Sequence, residues 1–242
     1  MDEIGLNHWA IYLLINGGML FLHEFGHATA CKKLGAEPGS IGFGFYLLSP
    51  VMFADVSDIW RLKRKERIYV NFSGIYIELL LASVLSMLFV FTAYLPLLVI
   101  CSFVLLGALI NLNPLLRYDG YWILSDATNT PNLRKVSIQK MDSFFRMIWR
   151  RTRLKLSKKD LFLVIYAIVS VSFIVVFLGA ILIHDPYGVL SFPLNAFLYL
   201  KGLLIDHQSF VLSDLKPFIL PFLFYFIVVK FLISKLGKSV TP

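Results

Sequence analysis

Two histidines four residues apart, with a glutamate directly after the first, stand in the stretch FLHEFGHATA at residues 21–30. On a helix, residues four apart share one face, about 6 Å apart along the axis, so His23 and His27 can both aim a ring nitrogen at one ion. Glu24 projects about a quarter turn away, beside such an ion rather than onto it. That position suits a general base that takes a proton from water, and the donor types suit Zn2+. Cys31 continues the same face one turn further on, as a small apolar filler or as a further thiolate ligand.

The elements that hold these residues are apolar throughout. Of 242 residues, 58% are hydrophobic and 16% charged, and the mean hydropathy is +0.75. Such a balance excludes an ordinary soluble domain and predicts an all-α polytopic membrane protein. A spanning helix takes about 20 mostly apolar residues, and runs at 6–30, 69–93, 95–116, 161–183 and 215–234 meet that need. A further run at 189–205 is shorter and carries Lys201, which suits an interfacial or re-entrant segment. The N-terminal MDEIGLNHW lacks a basic region and a small-residue cleavage site, so the first helix reads as retained. Cys31 and Cys101 sit in separate apolar segments and outline no disulfide framework.

The net charge of +8 would also suit nucleic acid, but its distribution favours a membrane surface. Five of the seven residues in RLKRKER (61–67) are basic, and ten Lys or Arg lie between Arg134 and Lys159 against the single acid Asp142. Cytoplasmic loops carry such an excess, so both loops are expected inside and the acidic N-terminus outside. Five spans then leave the C-terminus inside, near Lys230, Lys235 and Lys238; a crossing at 189–205 would move it outside. The expected organisation is a catalytic membrane core at 1–125, a basic amphipathic cytoplasmic loop at 126–160 and C-terminal transmembrane helices at 161–242. The loop suits a lipid surface or a docking protein. His27 then lies near the cytoplasmic end of an inward-running helix, where an ionisable residue is costly and so usually functional.

A catalytic zinc takes three protein ligands and keeps a fourth position for water. His8, His184 and His207 are poorly placed to supply the third. Asp119, in NLNPLLRYDGYW at 111–122, falls at the end of the third expected span, at the depth of His27. A metal-facing role would explain a carboxylate there; a turn with Gly120 or a pair with Arg117 are the other uses for it. Pro114 breaks or kinks the helix and frees backbone groups, which is tolerable only against protein or a water-filled cavity.

Taken together, these residues resemble the site-2 protease family of intramembrane zinc metalloproteases. The resemblance rests on HExxH at 23–27, followed by Asn111, Pro114, Asp119 and Gly120 in the order N-x-x-P-x-x-x-x-D-G, and it covers residues 5–125. It implies a three-helix core with a small membrane-embedded β-hairpin, followed here by two or three further transmembrane helices. It also implies zinc on His23, His27 and Asp119, Glu24 as the base, and Asn111 orienting substrate or stabilising the oxyanion. GSIGFGFYLLSP at 39–50 is similar to the family's hairpin, and NPLLRYDGYWILSD to a bacterial subgroup of peptide zinc metalloproteases that accompany small modified or exported peptides. The location this implies is a bacterial cell membrane, with the active site toward the cytoplasm.

The sequence departs from the family in two places. Gly74, Ile75 and Glu78 stand where a Gly-Pro pair and a later Asn are usual, so only a packing role carries over to Gly74. Arg117 and Tyr118 precede Asp119 where many relatives are apolar.

A transmembrane helix protects its own peptide bonds, so a substrate must unwind before water can attack. The edge of residues 41–48 is the expected holding place, with Gly42 and Gly44 alternating with Phe43 and Phe45 so that another backbone can approach. The break near Pro114 and Asn111 is a second. Expected partners are a membrane-embedded peptide or protein substrate and the bilayer, with no nucleic acid; a homo-oligomer or an accompanying membrane protein is left open. Two other classes fit less well. An idle peptide-binding escort or immunity protein would have no need of Glu24, and a metal transporter would need more than one site at a single depth.

Overall fold

The computed structural model describes residues 6–46, 49–151, 156–205 and 212–236. Leu47 and Leu48 of the expected hairpin, Arg153 and Lys155 of the basic loop, His207, Lys238 and the acidic N-terminal residues lie outside them. The chain is mostly helical, with one two-stranded antiparallel sheet. It forms two compact units, residues 1–167 and 168–242.

The first unit begins with α1 (Leu6–Lys33). Gly35 ends it in a left-handed conformation at φ 87°, which lets the Ala36 N–H reach the Cys31 carbonyl at 3.1 Å. The hairpin follows as β1 (Ile41–Tyr46) and β2 (Ser49–Ala54), in a register running from Ile41 opposite Ala54 to Tyr46 opposite Ser49. A short 3-10 turn (Ser57–Arg61) leads into α2 (Arg64–Thr92), where Glu66 accepts the Lys63 N–H at 2.7 Å and caps the first turn. Ala93 closes α2 with a left-handed φ of 52°, and Pro96 lies in the first turn of α3 (Leu95–Asn111).

The run expected to continue to residue 116 is helical only to Asn111. Pro114 has no N–H to donate and pushes Asn113 away from helical backbone, so residues 112–118 turn instead. Asn113 Oδ1 steadies the turn by accepting the Leu115 N–H at 2.9 Å. Asp119 therefore opens a new helix, α4 (Asp119–Ala127), rather than ending the third. Gly120 is required here: a Cβ on it would lie 2.1 Å from the Leu112 carbonyl oxygen, so only glycine lets α4 start against the end of α3.

The basic stretch folds as α5 (Leu133–Trp149), which buries Leu133 and Ser137 and exposes Phe145, Ile148 and Trp149. Lys140 pairs with Asp160 at 2.6 Å at the start of α6 (Lys158–His184). Tyr121, Leu133, Leu163 and Tyr166 form the cluster joining α4, α5 and the first turns of α6. Cys31 is fully buried with Ala36, Ile59 and Val70, in the filler role.

The second unit contains the rest of α6, α7 (Pro186–Leu204), a 3-10 turn (Leu212–Leu215) and α8 (Lys216–Leu236). Asp185 caps α7 by accepting the Gly188 N–H at 2.8 Å, and Phe192 stacks on Tyr225 with ring centroids 5.5 Å apart. Each apolar run read from the sequence lies on a helix for most of its length, 189–205 included. Among the described residues, α2 and α6 are long and apolar enough to cross a membrane, and α3 is a shorter apolar helix of 17 residues.

Candidate metal centre

The site begins where α1 crosses α2. A Cβ on Gly26 would lie 2.9 Å from the Ser73 carbonyl, and one on Gly74 would lie 2.5 Å from His27 Nε2 and 2.6 Å from His23 Nε2. Small residues let helix backbones approach closely, and the space left at Gly74 is filled by the two imidazoles. Both rings are buried, and they meet edge to face with centroids 4.8 Å apart.

Asp119, from the first turn of α4, closes the group. Its Oδ2 lies 3.0 Å from His23 Nε2 and 3.3 Å from His27 Nε2, and the two Nε2 atoms are 3.1 Å apart. Nδ1 of His27 lies 2.7 Å from the Val70 carbonyl oxygen. A proton on Nδ1 is the one that can be donated there, which leaves Nε2 of the neutral ring as a lone pair facing the carboxylate. Asp119 Oδ2 is buried without a hydrogen-bond partner. Lone pairs converging in this way repel unless a cation lies among them. Four-coordinate zinc, with bonds of about 2.0–2.2 Å, holds its donors about 3.3 Å apart, close to the separations seen. His23, His27 and Asp119 thus form a group able to hold a metal ion.

Other groups fix these ligands from α2. Glu78 Oε1 lies 3.1 Å from His23 Nδ1 and accepts the Asn111 amide at 3.0 Å. Asp126, two turns along α4 from Asp119, pairs with Arg67 at 2.7 Å and accepts the Asn71 amide at 3.3 Å. Arg64 adds a bond to the Ala127 carbonyl. Arg67 also stacks over Trp60, 5.4 Å from the ring centroid.

The group opens into a cleft of about 720 Å³ whose walls include Glu24, Asn111, Trp60, Arg117, Tyr118 and Trp122. Glu24 stands outside the ligand triangle, and its Oε2 accepts the Ala54 N–H at 2.6 Å. Asp55 pairs with Ser40 through its backbone, so Ala54 directs its own N–H to the opposite edge of β2. Beside the cleft, the Ser57 hydroxyl and N–H hold the Asp55 carboxyl below its ordinary range.

The structure thus gathers His23, Glu24, His27, Asn111 and Asp119 at one cleft. The hairpin wall of that cleft is the second strand, Val51–Ala54. Gly42, Phe43, Gly44 and Phe45 pair across the hairpin with Phe53, Met52, Val51 and Pro50. Pro114 lies in the turn after α3, its carbonyl accepting the Tyr166 hydroxyl at 2.8 Å. In the sequence Glu78 stands out only as a departure from the family pattern, and Arg67, Asn71 and Asp126 carry no site role. An acid in an apolar helix was the signal that singled out Asp119, and the same signal was present at Glu78.

A stretch of 117 residues, 47% of the chain, is 32% identical to "Putative peptide zinc metalloprotease protein YydH" of Bacillus subtilis (strain 168) and covers 45% of that protein. The matched stretch thus spans about half the length of this curated relative. No protein-family model matches the chain. No solved structure matches it either.

Proposed function

We propose that this chain is an intramembrane zinc metalloendopeptidase that hydrolyses a peptide bond in a membrane-inserted or membrane-associated peptide or protein. The observation that carries this reading is the convergence of His23 Nε2, His27 Nε2 and Asp119 Oδ2 within 3.0–3.3 Å, with Glu24 on the wall of the same cleft. The similarity to a protein named a peptide zinc metalloprotease points the same way.

Membrane action is supported by the exposed faces of the long helices. Leu80, Val84, Met87, Leu88, Val90 and Phe91 of α2 stand open, an apolar surface larger than a water-soluble monomer ordinarily shows. The basic segments at 61–67 and 134–159 favour a multi-pass arrangement in a bacterial cell membrane with the site toward the cytoplasm. A substrate in the maturation of small modified or exported peptides suits the chain's resemblance to the peptide metalloprotease subgroup.

His23, His27 and Asp119 would hold the zinc, which would supply a Lewis acid for the scissile carbonyl and lower the pKa of water. Glu24 takes the water's proton and returns it to the leaving amine. The outer edge of β2 offers the Met52 backbone groups and the Ala54 carbonyl to an opened substrate segment, the Ala54 N–H being held by Glu24. Asn111, tied to Glu78, borders the same space.

Glu24→Gln is the test. The amide cannot act as base, and the three donors are untouched. Wild type and variant should each purify with one zinc per chain, and only wild type should cleave a library of quenched-fluorescent transmembrane peptides. Equal cleavage by the variant would sink the mechanism.

A further inference from the structure

Glu78 is a carboxylate within an otherwise apolar stretch of α2, largely buried, and neither the general base nor one of the three metal-facing donors. Burying a charge there is costly unless something compensates it. The polar groups facing it are His23 Nδ1 at 3.1 Å and the Asn111 amide at 3.0 Å, both on Oε1. The 3.1 Å approach is an ion-pair contact: His23 Nδ1 is buried without a hydrogen-bond partner among the described residues, and so is Glu78 Oε2, which leaves Glu78 as the acceptor standing within reach of that ring nitrogen.

The two histidines are supported differently along one stripe of α2. Val70, Gly74 and Glu78 are spaced four apart, so they stack on one face of the helix. The first offers its backbone carbonyl to His27 Nδ1, the second leaves room for both rings, and the third presents its carboxylate to His23 Nδ1. A helix has spare carbonyls only near its C-terminal end and where a side chain shares one in mid-helix. At His23 the stripe uses a side chain instead.

We propose that Glu78 is a positioning residue of the metal centre: by accepting the Nδ1 proton of His23 it fixes the tautomer and ring orientation that turn the Nε2 lone pair toward the ion. The inference rests on the zinc reading above and adds to it a residue that the HExxH and N-x-x-P-x-x-x-x-D-G motifs do not contain. Carboxylates behind ligating histidines hold the ring and raise its basicity, and their loss commonly lowers metal affinity 10–100-fold. A plain structural link between α2 and α3 through Asn111 is the competing role for Glu78. The two roles predict opposite changes in the metal-free protein.

The experiment compares full-length wild type, Glu78→Leu and Glu78→Gln in detergent. Zinc affinity is measured by chelator competition, the absorption spectrum after cobalt substitution, and thermal unfolding without metal. Leucine removes the acceptor and the buried charge together, so metal-free unfolding should shift to the same or a higher temperature, while zinc affinity falls about 10–100-fold and the cobalt spectrum changes. Glutamine keeps an oxygen for the Nδ1 proton, so most of the affinity and the wild-type cobalt spectrum should return. Unaltered zinc affinity and cobalt spectrum in Glu78→Leu would overturn the proposal alone, and so would a variant whose only change is a lower metal-free unfolding temperature. A wild-type protein that binds no zinc would overturn the zinc reading, and this inference with it.

Discussion

The two units solve the problem of an apolar chain in different ways. In the first, polar side chains go inside and nearly every one that matters to the site meets another: His23 and His27 meet Asp119, Asn111 meets Glu78, and Asp126 meets Arg67 and Asn71. In the second, the described packing is mainly apolar, with Ile181, Val189 and Ser170 buried and the Phe192 ring between Phe218, Phe222 and Tyr225 at centroid distances of 5.5–6.2 Å. Volume-conserving exchanges among apolar side chains are well tolerated, whereas removing one partner of a buried ion pair is strongly destabilising. Buried groups of opposite charge that face one another therefore mark the unit where geometry is demanded.

The sharpest way to break this contrast is at Gly74. Gly74→Ala places a methyl within 2.7 Å of three imidazole ring atoms, so the two rings must turn out of the arrangement that brings their Nε2 atoms to Asp119. It should abolish stoichiometric zinc binding and, with it, hydrolysis, read by metal analysis of the purified protein. Retained zinc would show that α1 and α2 can separate at their crossing, and that the first unit is as forgiving as the second.

A smaller effect is expected one step from the metal. Asp126→Asn leaves the Arg67 guanidinium buried without its counter-charge, which should cost about 3 kcal/mol in chemical or thermal unfolding and lower zinc affinity about tenfold through a loosened α4. The double replacement Arg67→Met with Asp126→Leu should recover the stability but not the affinity. If it recovers both, the pair is packing, and Asp119 is placed by the turn at 112–118 alone.

The smallest effect belongs to the second unit. Phe192→Leu keeps apolar volume and loses ring contacts, so about 1–2 kcal/mol of stability should go while zinc affinity and cleavage stay at the wild-type level. A fall in affinity comparable to that of Asp126→Asn would erase the distinction between the two halves.

Much of the site could be read from spacing. HExxH requires only a helix to bring its histidines together, and Asp119 stood out as an acid at the end of an apolar run. The positions of the helices followed from run length, because apolar segments of that size have few alternatives. Composition carries α3 five residues too far, since it continues to Leu116 while Pro114 and the Asn113 turn stop the helix at Asn111. The hairpin was visible, but not which strand would wall the cleft. That depends on the pleat of β2 and on the bond from Ala54 to Glu24, a backbone group that carries no sequence signature. Val70 escaped notice for the same reason: its part is played by a carbonyl that any residue would supply. Glu78 carried a signal, but its meaning needed the position of His23 on another helix.

The face of α2 that runs from Arg67 through Val70, Asn71 and Gly74 to Glu78 serves all three metal-facing side chains, and this makes the helix a ruler. Each added residue would turn everything beyond it by about 100° and advance it about 1.5 Å. A one-residue insertion between Val70 and Glu78 would thus turn the carboxylate away from His23, leaving every ligand in the chain and the support behind it out of register. Length errors in this segment are worse than most substitutions, and shortening or lengthening by a single codon here should be as damaging as deleting a histidine.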